Sequence, residues 1–250
     1  MTVILNTWVF EQDVKRGVSQ VDLVDRVAKL GADGIEVRRE YFTDLATELP
    51  QVGEKAKAHG LIVNLSVPDQ LFLDDGTVNP KLPGYFAEGQ TMGISKIKFN
   101  TGHFDRFTGD LAMAFAELPL DQIELNVEND QTPVSGTVSA ITTFLTAAHE
   151  AGLTSLGYVY DLGNWAFTHG DATASAEALA PFIHYIHLKN TAEADGSLVT
   201  TDDLDTGLYD WRALLKIMPS NVPFALEFPM KSDEAIKQQL ALLRTEVGES

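Results

Sequence analysis

The chain has 250 residues, with 18 Lys and Arg against 36 Asp and Glu, a net charge of −18 and no cysteine. The length suits one α/β barrel, commonly about 250 residues, or two small domains. Disulfides, thiolate metal sites and cysteine nucleophiles are excluded, and the acidic balance argues against nucleic acids and anionic membranes as partners.

Val3–Asn6 reads as an opening strand. Ser19 can cap a helix that carries Asp22 in its first turn and has Gly31 beyond its end; Val21, Val24, Val27 and Ala28 give it one apolar stripe. Residues 34–38 form a second strand, a helix through 54–57 stops at Gly60, and 61–65 is a third strand. After a loop and a helix ending near Gly93, residues 94–99 form a fourth strand. Residues 111–118 are helical, 123–128 form a fifth strand, and a helix over 138–150 is closed by Gly152. The sixth strand is 156–161, a helix covers 172–180, and the apolar stretch 182–190 is the seventh strand. A helix over 211–218, an eighth strand at 224–228 and a last helix over 233–245, capped by Ser232, complete the chain.

Strands that alternate with helices imply a parallel sheet. Eight such units, with no Pro-, Gly- or Ser-rich linker between halves, imply a (β/α)8 TIM barrel as a single domain over residues 1–250. The alternative, an open doubly wound sheet, is weakened because no glycine-rich phosphate turn follows the first strand. No apolar run reaches the ~20 residues that span a bilayer. The N-terminus shows no basic flank or cleavage pattern of a secretory signal, so a cytoplasmic protein is expected.

In such a barrel the chemistry sits where strands end and loops begin. Alternation places Tyr185, His187 and Lys189 on one face of the seventh strand and His184 opposite His187. The fifth strand closes on Glu128 and the sixth on Asp161, the seventh carries His187, and the eighth carries Glu227. The spacings of 33, 26 and 40 positions are each near one βα unit. Three carboxylates and an imidazole on one rim would raise one another's pKa and destabilise the fold unless compensated. A divalent cation, manganese, magnesium, cobalt or zinc, would compensate them. The competing reading is a salt-bridge network with Lys98, Lys189 and Arg38.

Asn126-Val127-Glu128-Asn129, Tyr160-Asp161-Leu162-Gly163-Asn164, Ile186-His187-Leu188-Lys189-Asn190 and Leu226-Glu227 resemble the xylose isomerase-like barrel superfamily. Residues 33–40 resemble that group's second strand, and the resemblance covers nearly the whole chain. It implies a divalent metal held by Glu128, Asp161, His187 and Glu227, with the two glutamates also serving as acid and base in the epimerases. The group includes sugar phosphate isomerases and epimerases, inosose isomerase and dehydratase, ketose 3-epimerases and 3-dehydroshikimate dehydratase. Two positions depart from the pattern: Asn164 stands where a histidine is frequent, and Glu193 where ketose 3-epimerases carry arginine.

The expected function is a metal-dependent sugar or cyclitol isomerase or epimerase, acting by proton abstraction next to a carbonyl through a metal-stabilised enolate. A dehydratase on the same site is the alternative. An endonuclease IV-like nuclease, which needs more histidine and a basic face, and a non-catalytic sugar-binding barrel rank lower. Glu128, Glu227 and Lys189 are the expected catalytic residues. Asn6, Glu36, Arg38, Asn64, Lys98, Asn164 and Trp165 are the expected substrate contacts, with Trp8, Phe72 and Phe167 as further loop aromatics. The ligand is expected to be a carbohydrate or cyclitol without phosphate, because the seventh loop carries Glu193, Asp195, Asp202, Asp203 and Asp205. Barrel helices can also form homo-oligomers without any short motif, so the oligomeric state is left open.

Overall fold

A computed structural model describes residues 2–248. Its strands are β1 (Val3–Asn6), β2 (Gly34–Arg38), β3 (Ile62–Phe72), β4 (Lys96–Gly102), β5 (Glu124–Glu128), β6 (Gly157–Asp161), β7 (Ile183–Leu188), β8 (Thr191–Ala194), β9 (Ser197–Thr200) and β10 (Phe224–Leu226). Eight of them close a parallel barrel in the order β1-β10-β7-β6-β5-β4-β3-β2, as the βα rhythm requires; β8 and β9 pair separately. The helices are α1 (Glu11–Lys15), α2 (Gln20–Leu30), α3 (Leu45–His59), α4 (Leu82–Met92), α5 (Leu111–Ala114), α6 (Val138–Glu150), α7 (Ala172–Leu179), α8 (Trp211–Leu215) and α9 (Asp233–Glu246). No helix among the described residues is long and apolar enough to cross a membrane.

Local chemistry explains where elements begin and end. Ser19 Oγ accepts from the Asp22 N–H, and α2 stops at Gly31, whose φ of 82° is the left-handed value that favours glycine. Ser232 caps α9 in the same way. α3 starts ahead of the segment that the sequence marks: Asp44 caps it, and Pro50 is carried inside the helix. The outward residues of the strands, Leu5, Ile35, Leu65, Phe99, Val127 and Tyr160 among them, are buried under the helices in the main core. Fully burying such a side chain contributes about 1.5–3 kcal/mol. Inside the barrel, Ile4, Val159, Tyr185 and Ala225 form a small apolar layer of their own.

Other elements depart from expectation as well: the helices expected over 111–118 and 211–218 end at Ala114 and Leu215. β3 runs on past its barrel segment with a register shift between Ser66 and Gln70, so Phe72 is a strand residue. It is buried among Phe104, Phe107, Phe115 and Phe144 rather than offered to a ligand. The β8–β9 hairpin lies outside the expected elements, although Asp195-Gly196 is a strong turn signal; both residues have positive φ, 51° and 74°. Finally, His184 does not point away from the barrel interior. β6 and β7 shift register between Tyr158 and Val159, so two β7 residues in succession, His184 and Tyr185, turn inward. His184 packs where a side chain on Gly157 would collide with it.

This bulge builds a polar plug at the lower end of the barrel. Glu124 lies 2.6 Å from Lys96 Nζ and 3.1 Å from His184 Nδ1, and it accepts from Asn126 Nδ2 at 3.0 Å. Lys96 thus has its carboxylate partner in this lower layer. Burial by itself would raise the Glu124 carboxyl, but the His184 hydrogen bond and the Lys96 ammonium outweigh it and hold it below its ordinary value of 4.5. A carboxyl lowered on folding contributes stability above its unfolded pKa and loses it as the pH falls through the folded value. Glu124→Gln should therefore cost about 1–2 kcal/mol at pH 7, discounted for partial exposure. The difference from the parent should shrink as the pH drops below about 4.5. Urea unfolding at pH 7 and pH 3.5 measures both; a constant difference would show that the charge contributes nothing.

Candidate metal centre

The upper end of the barrel gathers the residues that the strand ends announce. Glu128 closes β5, Asp161 closes β6, His187 lies one residue before the end of β7, and Glu227 follows β10 directly. Cross-strand register sets Asp161 beside His187, and His187 beside Ala225. All four are buried, at 5, 0, 0 and 2 % exposure, and their ligand-type atoms all lie within 4.8 Å of one another.

Each carboxylate of the quartet has a cation. Lys98 Nζ is 2.6 Å from Glu128 Oε2, Lys189 Nζ is 2.5 Å from Asp161 Oδ2 and 3.3 Å from Glu227 Oε2, and an Arg38 guanidinium nitrogen is 3.0 Å from Glu227 Oε1. The ion-pair network set against a metal in the sequence reading is thus real. It leaves a gap, however. His187 Nδ1 lies 2.9 Å from Glu128 Oε1, off the hydrogen-bonding direction, and that oxygen remains a buried acceptor without a donor. Nδ1 is also 3.1 Å from Glu227 Oε2, while Nε2 faces Glu36 Oε2 at 3.2 Å.

Electrostatics follow from this crowding. Burial opposes charge on His187, but Glu36 and Glu227 prevail and hold the imidazole well above its ordinary value. Burial likewise opposes ionisation of Glu227, yet Lys189, His187 and Lys98 hold it well below the carboxylate range. Asp161 goes the other way: burial, with repulsion from Glu128 and Glu227, pushes it up to about 7 despite Lys189. Three carboxylates and an imidazole, with one oxygen orphaned and one carboxyl reluctant to ionise, fit a divalent cation. Such oxygen-rich sets with one imidazole suit manganese, magnesium, cobalt or zinc.

Asparagines fix the geometry. Asn129 Oδ1 accepts from the Tyr158 hydroxyl at 2.6 Å and from the Asp161 N–H at 2.8 Å, and its Nδ2 donates to the Asp161 carbonyl at 2.8 Å. The ends of β5 and β6 are thereby locked together. Asn164 Nδ2 donates to Asp161 Oδ2 at 3.0 Å and to the Asn129 carbonyl at 2.8 Å, and its Oδ1 accepts from Gln131 Nε2 at 3.1 Å. The amide at the departing position is thus already committed to holding Asp161.

A cavity of 330 Å³ opens above Glu128 and Glu227. Arg38, Lys98, Asn164 and Lys189 stand on its wall, as does Trp8, whose ring lies 5.4 Å from Lys189 Nζ and 5.7 Å from the Arg38 guanidinium carbon. Larger grooves of 490 and 530 Å³ lie elsewhere, beside His103–Arg106 and beside β9, and neither touches the quartet. Asn6, Glu36 and Asn64 face the barrel interior but are buried and do not line the cavity. Trp165 requires a correction. Its ring packs against Tyr160, 1 % exposed, because the segment after β6 turns back over the outer face of the barrel. Ser66, Asn100 and Gln131 also line the wall, outside the expected contacts; period-two alternation from Asn64 and Lys98 reaches the first two.

No family model matches the sequence, and no curated protein matches it. Solved structures match it along its length. One is the probable 3-DHS dehydratase AsbF, involved in petrobactin synthesis, from Bacillus anthracis: TM-score 0.73, 16% identity, covering 97% of this chain and 98% of that one. A second is a xylose isomerase-like TIM barrel/4-hydroxyphenylpyruvate dioxygenase fusion protein: TM-score 0.72, 14% identity, covering 96% of this chain and 41% of that longer one. A third is IolI with a binding zinc atom: TM-score 0.69, 16% identity, covering 100% and 99%. D-psicose 3-epimerases, a 3-keto-D-glucoside 4-epimerase and a family 2 AP endonuclease share the fold as well. At such identities the likeness speaks for architecture and not for reaction. The chain has the fold of the xylose isomerase-like TIM barrels.

Proposed function

We propose that the protein is a divalent-metal-dependent isomerase or epimerase of a carbohydrate or cyclitol, working by proton transfer at the carbon next to a carbonyl. The observation that carries this reading is the buried quartet Glu128, Asp161, His187 and Glu227, with Glu128 Oε1 undonated at the floor of a 330 Å³ cavity. The four would hold the cation, which, when bound, would polarise a ketone and its neighbouring hydroxyl and acidify the carbon between them. Glu227 and Glu128 have the oxygen atoms to take the proton from one position and return it at another. Lys189 stands beside Asp161 and Glu227, where its ammonium can steady negative charge on a substrate oxygen. Gln131 and Asn100 offer amides for hydroxyls.

Sugar epimerases recur among the proteins of this fold, which favours the isomerase branch. A dehydratase reading is second. The likeness to the probable 3-DHS dehydratase extends along both chains, and the Lys189 ammonium, beside Asp161 and Glu227, stands where it can hydrogen-bond a departing hydroxyl. The net charge of −18 speaks against the nuclease reading. A screen of ketoses, inososes and 3-dehydroshikimate with added manganese, followed by NMR in deuterium oxide, tests the proposal. Deuterium uptake without loss of water supports isomerisation or epimerisation, and loss of water gives the dehydratase. No turnover and no exchange with any of them would count against both.

The substrate should lack phosphate. Lys231, the cation at the start of α9, is 2.5 Å from Asp202 Oδ2, so the acidic loop already holds it, and Ser232 is spent on its cap. Competition between matched free and phosphorylated ketoses should favour the free sugar; preference for the phosphorylated member of each pair would refute this.

A further inference from the structure

Glu36 lies under the cavity, unable to reach a substrate, yet it is buried and fully engaged. Its Oε1 accepts from Asn6 Nδ2 at 2.5 Å, and its Oε2 faces His187 Nε2 at 3.2 Å. Asn6 is itself fixed, because its Oδ1 accepts from the Trp8 backbone N–H at 2.8 Å. That bond also settles which end of the amide is the donor. The second Nδ2 proton points to Glu227 Oε1 at 3.2 Å. The Tyr185 ring stands edge-on to the imidazole, with centroids 4.8 Å apart and planes at 85°.

We propose that Glu36 is a positioning residue of the metal centre: by holding His187 Nε2–H it keeps Nδ1 turned toward Glu128 and Glu227 as the nitrogen that binds the cation. The inference rests on the metal reading above and extends it to residues outside the quartet. An imidazole has two nitrogens, and the one that keeps its proton is chosen by its hydrogen-bond partner. A carboxylate on the far nitrogen fixes the tautomer and makes the near nitrogen a better donor. The chain from Trp8 N–H through Asn6 and Glu36 to His187 therefore ties one ligand to the backbone at the end of β1. The other arm of Asn6 ties Glu227, so one amide sets two of the four ligands.

The requirement is for two acceptor oxygens. Asn6 donates one hydrogen bond to Glu36 and His187 donates another, and a glutamine has only one acceptor oxygen. Glu36→Gln preserves size and shape, so a space-filling role would survive it, whereas the positioning role would not.

The test is titration of the purified protein with cobalt, read by calorimetry and by the visible absorption of the bound ion. Glu36→Gln should weaken cobalt binding by about 10–100-fold and alter the spectrum, because the imidazole is no longer held in one tautomer. Asn6→Ala leaves the Glu36 carboxylate in place but untethered, and should weaken binding in the same direction by less. If Glu36→Gln does not fold, Glu36→Asp takes its place: it keeps the charge and both oxygens but draws them one methylene back from His187 Nε2, and should weaken binding in the same direction. Parent affinity and spectrum in Glu36→Gln, or in Glu36→Asp where only that variant folds, would overturn the role of Glu36 while leaving the metal reading intact. A parent protein that binds no cobalt would overturn both.

Discussion

His187→Ala should leave the protein without stably bound divalent metal. The imidazole is the one nitrogen in a set that is otherwise carboxylate, and it lies at the centre of the group, with Nδ1 2.9 Å from Glu128 Oε1 and 3.1 Å from Glu227 Oε2. Loss of an outer partner of a metal site costs about 10–100-fold in affinity, and loss of a ligand itself should cost at least about 100-fold. The substitution also has a second effect. Without metal, the His187 cation offsets Glu36 and Glu227, which hold its pKa well above the ordinary value. Removing one member of a buried charge network costs about 3–5 kcal/mol, so the metal-free variant should also unfold at lower urea. Elemental analysis after dialysis against a trace of manganese measures the first effect, and urea unfolding in chelator measures the second. Should the variant not fold, Asp161→Asn poses the same question at a ligand whose pKa, pushed up to about 7, makes its neutral form less foreign to the site. Metal content and activity equal to the parent's would remove the quartet as a metal site.

The rim was legible because a parallel barrel repeats. Each βα unit returns the chain to the same end, so a polar residue closing an apolar strand is placed on that rim by its spacing alone. Glu128, Asp161, His187 and Glu227 are found that way. Alternation also identifies the inward face correctly for Asn6, Glu36 and Asn64. What it does not supply is height. Barrel strands are tilted and staggered, so neighbouring strands are offset along the axis. Following paired Cα atoms from Asn6 leads through Glu36, Asn64 and Lys96 to Glu124, from beneath the cavity to the lower plug. Residues at similar points in their own strands therefore sit in different layers, and three expected substrate contacts fall one layer too low.

Other features fail for different reasons. The bulge that turns His184 inward depends on the register between β6 and β7, which is a property of the pair and not of either strand. Trp165 sits in a segment that covers the outer face, and an aromatic residue just past a strand end serves either side equally well by composition. The β8–β9 hairpin is announced by Asp195-Gly196, but its strands are short and flanked by acidic residues, a composition equally at home in a loop.

Glu227→Gln should abolish exchange of the substrate's α-proton with solvent while leaving the fold in place. Glu227 is at the meeting point of the site: Arg38 and Asn6 approach Oε1, and His187 and Lys189 approach Oε2. Those donors, above all Lys189 and His187, overcome burial and hold the carboxyl well below its ordinary value, so it is ionised at neutral pH, and a substrate or cation that draws those donors away would restore its basicity. A glutamine of the same shape keeps a place in the barrel but has no basic oxygen. A positioned general base contributes about 10²–10⁴-fold, and exchange should fall by that factor. Because the same residue belongs to the metal quartet, the measurement must be made at saturating manganese, with bound metal counted in the same sample. Glu128→Gln under identical conditions separates the two carboxylates. If one takes the proton and the other returns it, the two variants should differ in whether exchange or only turnover is lost. Exchange at the parent rate in metal-loaded Glu227→Gln would take Glu227 out of the acid–base pair and leave it as a ligand alone.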